Sequence, residues 1–452
     1  MTHTEVIILS AGHGTRMRSS KPKSLQQIGA RPMLHYIVEC AKSVNFDRVH
    51  VVIGKDGDEI RSAFESEDIN WVIQTQQLGT ADAVKHAIPA IDSESTVCVL
   101  YGDNPFIDPK TMHKMIDLTN NNALSVLTAK LENPKGYGRI KRTKDGKVSG
   151  IVEDKDASED ERRITEVNAG PLCAQVKTLQ TLLEKIDNNN QQNEYYLTDI
   201  VGAAFTNGID IKTCATANAA EIAGVNSRNE QARLERKLQL KNAAELMQAG
   251  VEISDPARFD LRGSCSSGKD CRIDINVIIE GDVRLDDRVS IGANCIVRDS
   301  VLEADVTILP NTIVEGAQIH TGATVGPFAR IRPGTVIGAD CKIGNFVEIK
   351  NSTLGSKTKV SHLAYVGDCD TGEQVNIGAG TITCNYDGSA KHRTHIGDKA
   401  FIGSNVSLVA PLDIGDGAVI GAGSTITRDV PSGKLAVERS QTKTMPAERF
   451  RR

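Results

Sequence analysis

A short apolar run, Val6-Ile7-Ile8-Leu9, opens directly into Ser10-Ala11-Gly12-His13-Gly14-Thr15-Arg16-Met17, and Lys21-Pro22-Lys23 comes soon after. Two glycines this close let the backbone turn its N–H groups toward an anion, and Arg16 and Lys23 supply charge for phosphates. Met17 stands where a G-x-G-x-x-G dinucleotide loop needs its third glycine, and no G-K-[ST] follows to make a Walker A loop. A second element, Tyr101-Gly102-Asp103, closes the apolar run Thr96 to Tyr101. A carboxylate there can hold Mg²⁺ between nucleotide phosphates; taken singly, it is as readily a turn-forming Asp.

A different set stands in the second half: Arg332, Lys350, His362, Tyr365, Asn376 and Asn385-Tyr386. Arg332 and Lys350 suit a phosphate, and Asn376 can orient an amine. A lone histidine on a repeat surface is usually solvent-exposed decoration. The company of the other residues makes His362 a candidate for chemistry.

The elements that must position the first set alternate in type. Strand-forming runs are Glu5 to Leu9, Val49 to Ile53, Trp71 to Ile73, Thr96 to Tyr101 and Leu124 to Leu131. Helical stretches are Met33 to Val44, Asp82 to Ile88 and Pro109 to Leu118, the last with Asp108 as N-cap. This alternation predicts a mostly parallel sheet covered on both faces, with ligands at the carboxyl ends of its strands. From Ser227 to Ala249 the residues Leu234, Leu238 and Leu246 share a helical face, which reads as a linking helix.

After about residue 260 the period changes. Ile273, Ile279, Leu285, Ile291 and Val297 are six apart; so are Ile319, Val325, Ile331, Ile337, Ile343 and Ile349, and again Ile396, Ile402, Leu408, Ile414, Ile420 and Ile426. Glycine often follows the aliphatic residue, as at Gly326, Gly338, Gly403 and Gly415. This is the hexapeptide pattern of a parallel β-helix, a triangular prism in which each hexad makes one flat wall and one corner. Three hexads complete a coil, and coils 18 residues apart bring Arg332, Lys350, His362 and Tyr365 to one wall. Aromatic side chains do not suit so narrow an interior. The row breaks at Thr383 to His395, which must leave the prism as a loop and is expected to complete a site on a neighbouring subunit through Asn385 and Tyr386.

Composition sets outer limits. At 452 residues the chain has room for two or three domains, and a net charge of -5 gives no general attraction to nucleic acid. No apolar run is long enough for a membrane span or a signal-peptide core, so a cytoplasmic protein is expected. Ten cysteines without a C-x-x-C pair read as small buried hydrophobes kept reduced.

The loop and Asp103 recur with Gln74, Gln77-Leu78-Gly79-Thr80, Gly136-Tyr137-Gly138-Arg139-Ile140, Glu153, Glu166-Val167-Asn168-Ala169-Gly170 and Gly224-Val225-Asn226. With these segments the first half resembles the sugar-1-phosphate nucleotidyltransferases. With the hexads behind it, the whole chain resembles the bacterial family of bifunctional N-acetylglucosamine-1-phosphate uridyltransferases/glucosamine-1-phosphate acetyltransferases. The resemblance implies a Rossmann-like α/β nucleotidyltransferase domain at 1–226 and a linker helix at 227–250. A left-handed parallel β-helix acetyltransferase domain follows at 251–452, with the inserted loop 383–395 and a C-terminal tail.

Carried over residue by residue, the resemblance gives Leu9, Ala11, Gly12, Arg16, Lys23, Gln74, Gly79, Thr80, Tyr101 and Gly102 to the nucleotide. It gives Gly138, Glu153 and Asn168 to the amino sugar, and Asp103 and Asn226 to Mg²⁺. In the prism it makes His362 the general base and gives Arg332, Lys350, Tyr365, Asn376, Asn385 and Tyr386 to glucosamine-1-phosphate. Ala379, Ser404, Ala422 and Arg439 go to acetyl-CoA, with a backbone N–H near Ala379 or Gly380 facing the thioester oxyanion. The implied co-substrates are UTP, N-acetylglucosamine-1-phosphate, glucosamine-1-phosphate and acetyl-CoA, and the implied assembly is a homotrimer, with no nucleic-acid or membrane partner. His13 stands where the family often has Lys, Asp82 follows Gly-Thr-Ala where a Gly-His pair is familiar, and Ala169 replaces a hydroxyl residue. The alternative is a single-activity sugar-1-phosphate nucleotidyltransferase whose prism is structural or regulatory; it leaves the His362 set unexplained. Weaker still is a non-catalytic nucleotide sensor on a scaffold.

Overall fold

The structure is a computed structural model that describes residues 3–446 except 13, 56, 219 and 220. His13 and the basic tail Arg449, Arg451 and Arg452 therefore lie outside the described residues. The chain divides into two compact units, Met1–Lys237 and Leu238–Arg452. The division falls inside the helix Arg228–Gln248, the segment read as a linker from sequence.

In the first unit the central strand Thr4–Leu9 pairs in parallel with Arg48–Gly54 on one side and Thr96–Tyr101 on the other. Val6, Ile7 and Ile8 are fully buried because side chains on both faces are covered, so the run is continuously apolar rather than alternating. Across the sheet the order is Ile211–Thr216, Leu124–Lys130, Glu166–Gln175, Thr96–Tyr101, Thr4–Leu9, Arg48–Gly54, Asn70–Gln74. Leu9 is opposite both Val52 and Tyr101, which sets the loop after Leu9 beside Gly102 and Asp103 at one end of the sheet. Asp108 caps the helix Pro109–Asp117 as its residue type predicts, accepting from Lys110 N at 2.8 Å.

Glu166–Gln175 runs against both its neighbours, and its pairing slips between Asn168 and Leu172. A slip of this kind re-aims the side chains around it, here at the sugar end of the site. Directly opposed on this antiparallel pair, Cys98 and Cys173 are bridged, with Cα atoms 4.2 Å apart. This corrects the expectation of ten free thiols. The close pairing of antiparallel strands, invisible in a separation of 75 residues, brings the two together. The other buried cysteines behave as small hydrophobes: burial pushes the thiols of Cys40 and Cys369 up to about 12.

The second unit is the expected parallel β-helix. Eleven short strands, from Glu252–Ile253 to Leu435–Ala436, stack in one ladder, and seventeen form a second ladder that turns through the other two walls. Every aliphatic residue of the three hexad rows points inward and is buried. Each gains roughly 1.5–3 kcal/mol on burial, enough to order a coil only when its neighbours cover it. Phe259, fully buried within this core, corrects the expectation that the interior admits no aromatic ring.

One corner column carries left-handed backbone at Asn276, Asn294, Asn311, Phe328, Phe346, Leu363, Gly380, Asn405 and Gly423. Asn and Gly tolerate that conformation; a bulky side chain there is a costly outlier. Yet Phe328, Phe346 and Leu363 occupy three successive rungs, each more than half exposed, and the two phenyl rings stack with centroids 5.4 Å apart.

Candidate active sites

Two adjoining cavities open at the carboxyl end of the first sheet. The first, about 360 Å³, lies against Leu9, Ala11, Gly12, Lys23, Gln74 and Asp103. The second, about 430 Å³, is bordered by Gly138, Glu153, Asn168 and Asn226, and the two share Thr80, Tyr101 and Asp103. The structure thus brings the separately read segments together around one carboxylate. Only glycine fits at position 79, where φ is +117° and a Cβ would stand 2.5 Å from the Tyr195 carbonyl. Gln77, adjacent in sequence, holds the loop by donating from Nε2 to Ala11 O at 2.5 Å.

Asp103 and Asn226 fit a divalent cation. Their side-chain oxygens already converge on one positive centre: Lys23 Nζ donates to Asp103 Oδ2 and to Asn226 Oδ1, the latter at 2.7 Å. Arg16 Nη2 reaches the same Asn226 oxygen at 2.7 Å. One carboxylate and one amide oxygen are the hard donors that Mg²⁺ prefers, and such ions take only one or two protein ligands beside substrate phosphates. In keeping with that, no cluster of three His, Cys, Asp or Glu occurs among the described residues.

At the sugar end, Glu153 Oε1 accepts from Thr198 Oγ1 at 2.8 Å, and Asn168 Oδ1 accepts from Gly170 N at 3.2 Å. Burial holds the Glu153 carboxyl above its ordinary value against the Thr198 hydrogen bond. Burial, then the charge of Glu153, pushes Asp199 up to about 6. Thr198 escaped sequence reading. It sits where a helix cap belongs, before Asp199–Thr206, but its hydroxyl serves Glu153 instead of the helix.

On the prism the second set gathers at a corner rather than on one wall. Arg332, Lys350 and Tyr365 lie in the two-wall ladder, whereas His362 ends the strand Lys359–His362 of the other ladder, three residues before Tyr365–Gly367 begins the next wall. The corner shift arises because some coils are 17 residues and others 18. His362 is exposed, and its Nδ1 lies 2.7 Å from Asn345 Oδ1, one coil below and in register. The amide oxygen takes the Nδ1 proton and leaves the Nε2 lone pair free for an incoming N–H. Asn345 was missed from sequence; its signal is the separation of 17 from His362. Above His362 the same edge carries Ala379, Ser404 and Ala422, linked rung to rung by Asn405 N to Ala379 O and Gly423 N to Ser404 O. The exposed Arg439 follows, its Cδ 3.9 Å from the place a Gly423 Cβ would take.

Tyr365 leans over Gly367, where a Cβ would meet its hydroxyl at 2.3 Å, and Arg332 donates to Glu348 Oε1 at 2.8 Å. Asn385 is turned into its own prism: its Nδ2 donates to Asp368 and lies 3.5 Å from Tyr365 Oη. The expectation that Asn385 completes a neighbour's site is thereby corrected. Burial would raise the Asp368 carboxyl, but hydrogen bonds from Asn351 and Asn385 and the charges of Lys350 and Lys391 hold it low. The nearby Lys350 ammonium in turn pushes Lys391 down, a paired positive charge suited to a phosphate. The strands Ile382–Cys384 and Thr394–Ile396 take both ends of the segment read as a loop, so the insertion proper is 385–393. Tyr386 remains exposed within it. Asn376 stands apart, in register with Lys359 at the far end of the strand from His362, a distance of about 10 Å along the wall.

Fold and sites together define a two-domain transferase, a nucleotidyltransferase sheet followed by a hexapeptide-repeat transferase prism. Residues 6–193 match the MobA-like NTP transferase domain, 313–386 the GMPPB C-terminal domain and 393–428 the bacterial transferase hexapeptide (six repeats). The bifunctional protein GlmU of Acinetobacter baylyi is 48% identical over 438 residues, covering 97% of this chain and 96% of its own. That of Acidithiobacillus ferrooxidans is 47% identical over 443 residues, covering 98% and 97%. A solved UDP-glucose pyrophosphorylase bound to UDP-glucose is similar over 53% of this chain and 100% of its own, at 17% identity and a TM-score of 0.44. The chain belongs to the GlmU family of bifunctional proteins.

Proposed function

We propose that the two sites divide the work of one enzyme of UDP-N-acetylglucosamine synthesis, acetyl transfer at the His362 corner and uridylyl transfer in the paired cavities. The protein is a bifunctional uridyltransferase and acetyltransferase. The observation that carries the assignment of sites is the meeting of His362 with Asn345 on one edge and of Asp103 with Asn226 in the other domain. At the corner, Nε2 of His362 takes a proton from the amine of glucosamine-1-phosphate as nitrogen attacks the thioester carbonyl of acetyl-CoA, and the coenzyme leaves as the thiol. Arg332, Lys350 and Lys391 hold the sugar phosphate, and backbone N–H groups at Ala379 and Gly380 face the developing oxyanion.

In the first domain a phosphate oxygen of N-acetylglucosamine-1-phosphate attacks the α-phosphorus of UTP in line, and pyrophosphate leaves. Lys23, Arg16 and the loop after Leu9 align the phosphates, with Gln74 and Gly79 at the base and Gly138, Glu153 and Asn168 at the sugar. Relatives of this kind use a divalent metal; Mg²⁺ held by Asp103 and Asn226 supplies charge neutralisation between the two reacting phosphates. An assay containing glucosamine-1-phosphate, acetyl-CoA, UTP and Mg²⁺, with free thiol and pyrophosphate followed separately, tests the division. Thiol without pyrophosphate, or the reverse, would reduce the protein to one activity.

Hexapeptide domains often assemble as trimers. The exposed Phe328, Phe346 and Leu363 beside His362 support a homotrimer packed along this corner, and the isolation of Asn376 supports its acting on a neighbour's site. Chains carrying His362→Ala and Asn376→Ala, each impaired alone, are expected to regain part of the acetyl transfer when co-expressed. No recovery in mixed trimers verified by mass would show that each subunit builds its own site. No described helix is long and apolar enough to cross a membrane, in keeping with a cytoplasmic enzyme acting on soluble substrates.

A further inference from the structure

Gln74 ends the strand Asn70–Gln74 on the wall of the first cavity and is 3% exposed. Its Nε2 donates to Gly79 O at 3.1 Å and to Asp82 Oδ2 at 2.7 Å. Both partners are acceptors, and an ionised carboxylate accepts only. The amide therefore has one satisfying orientation, nitrogen toward Gly79 and Asp82 and oxygen away from them; turned over, Oε1 would face two other oxygens. No described residue donates to Oε1.

The phosphates of a nucleotide belong with the charge at Lys23. A buried neutral amide offers a directional contact to the base instead. An acceptor fixed there suits uracil, whose N3 carries a hydrogen, and opposes cytosine, whose N3 presents a lone pair. We propose that Asp82 sets the base specificity of uridylyl transfer, by locking Gln74 as an acceptor. The proposal rests on the reading that the nucleotide occupies this cavity. Asp82 is a positioning residue, third in the helix Thr80–Ala87, with His86 Nδ1 3.7 Å from its carboxylate. An acid in the first turn also favours the helix through its dipole. That structural role would change UTP and CTP use alike.

The test is kcat/KM for UTP and for CTP in the full-length enzyme and in Asp82→Asn, Asp82→Ala and Gln74→Ala. Asp82→Asn keeps the shape but can turn an NH₂ toward Gln74, so the amide pair can reverse. Its UTP:CTP ratio is expected to fall about fivefold, and that of Asp82→Ala about tenfold or more, chiefly through a gain in CTP use. Ratios within about twofold of wild type in both variants, with Gln74→Ala lowering the ratio, would overturn the role of Asp82 alone. An unchanged ratio in Gln74→Ala would overturn the placement of the base, and the proposal with it.

Discussion

With Asp103 replaced by alanine, pyrophosphate release is expected to fall at least about 10²–10³-fold, the scale of losing one preorganised charge contact in a transition state. Thiol release continues. Asp103 borders both cavities and contributes the one carboxylate of the oxygen pair that converges on Lys23, so its loss removes a metal ligand and frees the loop cation together. Asp103→Asn should be severely impaired as well, because a neutral amide binds Mg²⁺ more weakly than a carboxylate of the same shape. The acetyltransferase residues lie in the other domain, which gives the experiment its internal control. Uridylyl transfer near the wild-type rate in Asp103→Ala would refute the assignment of the metal.

The reciprocal result is expected of His362→Ala: acetyl transfer falls about 10²–10⁴-fold, and uridylyl transfer from N-acetylglucosamine-1-phosphate is retained. A loss of less than about threefold would mean that His362 is surface decoration after all. Asn345→Ala sharpens the test, since it removes the acceptor that fixes the ring proton on Nδ1 without touching substrate. In wild type, acetyl transfer should decline on the acid side as the imidazole protonates and loses its lone pair, a dependence absent from whatever activity remains in His362→Ala.

The hexads were legible because a solenoid repeats one environment: every inward position meets the same demand, so the sequence answers with the same residue class at each coil. Strands and helices of the first unit were legible for a similar local reason, and Asp108 caps where its type said it should. What remained hidden depends on register between distant segments. The slip after Asn168, the Cys98–Cys173 bridge and the fully buried Gln239, whose amide bonds both N and O of Leu261, leave no local mark. The corner geometry was hidden for a subtler reason. An 18-residue coil predicts one wall for His362 and Lys350, but 17-residue coils shift the corner, and Asn345 rather than a recognised motif residue becomes the partner of His362.

The insertion at 385–393 shows what such a prism permits. Tyr365 and Ile382, 17 residues apart, pair on successive rungs; Ile382 and Ser407 do the same across 25 residues, and Thr383 still stands over Leu408 within the core. Extra chain enters at a corner and leaves again without moving a single inward side chain. Recognition loops can therefore be lengthened, replaced or removed one coil at a time by natural variation or by engineering, while the folding problem stays that of the neighbouring rungs. Chemistry on this scaffold is editable in a way that the register-bound cavities of the sheet are not.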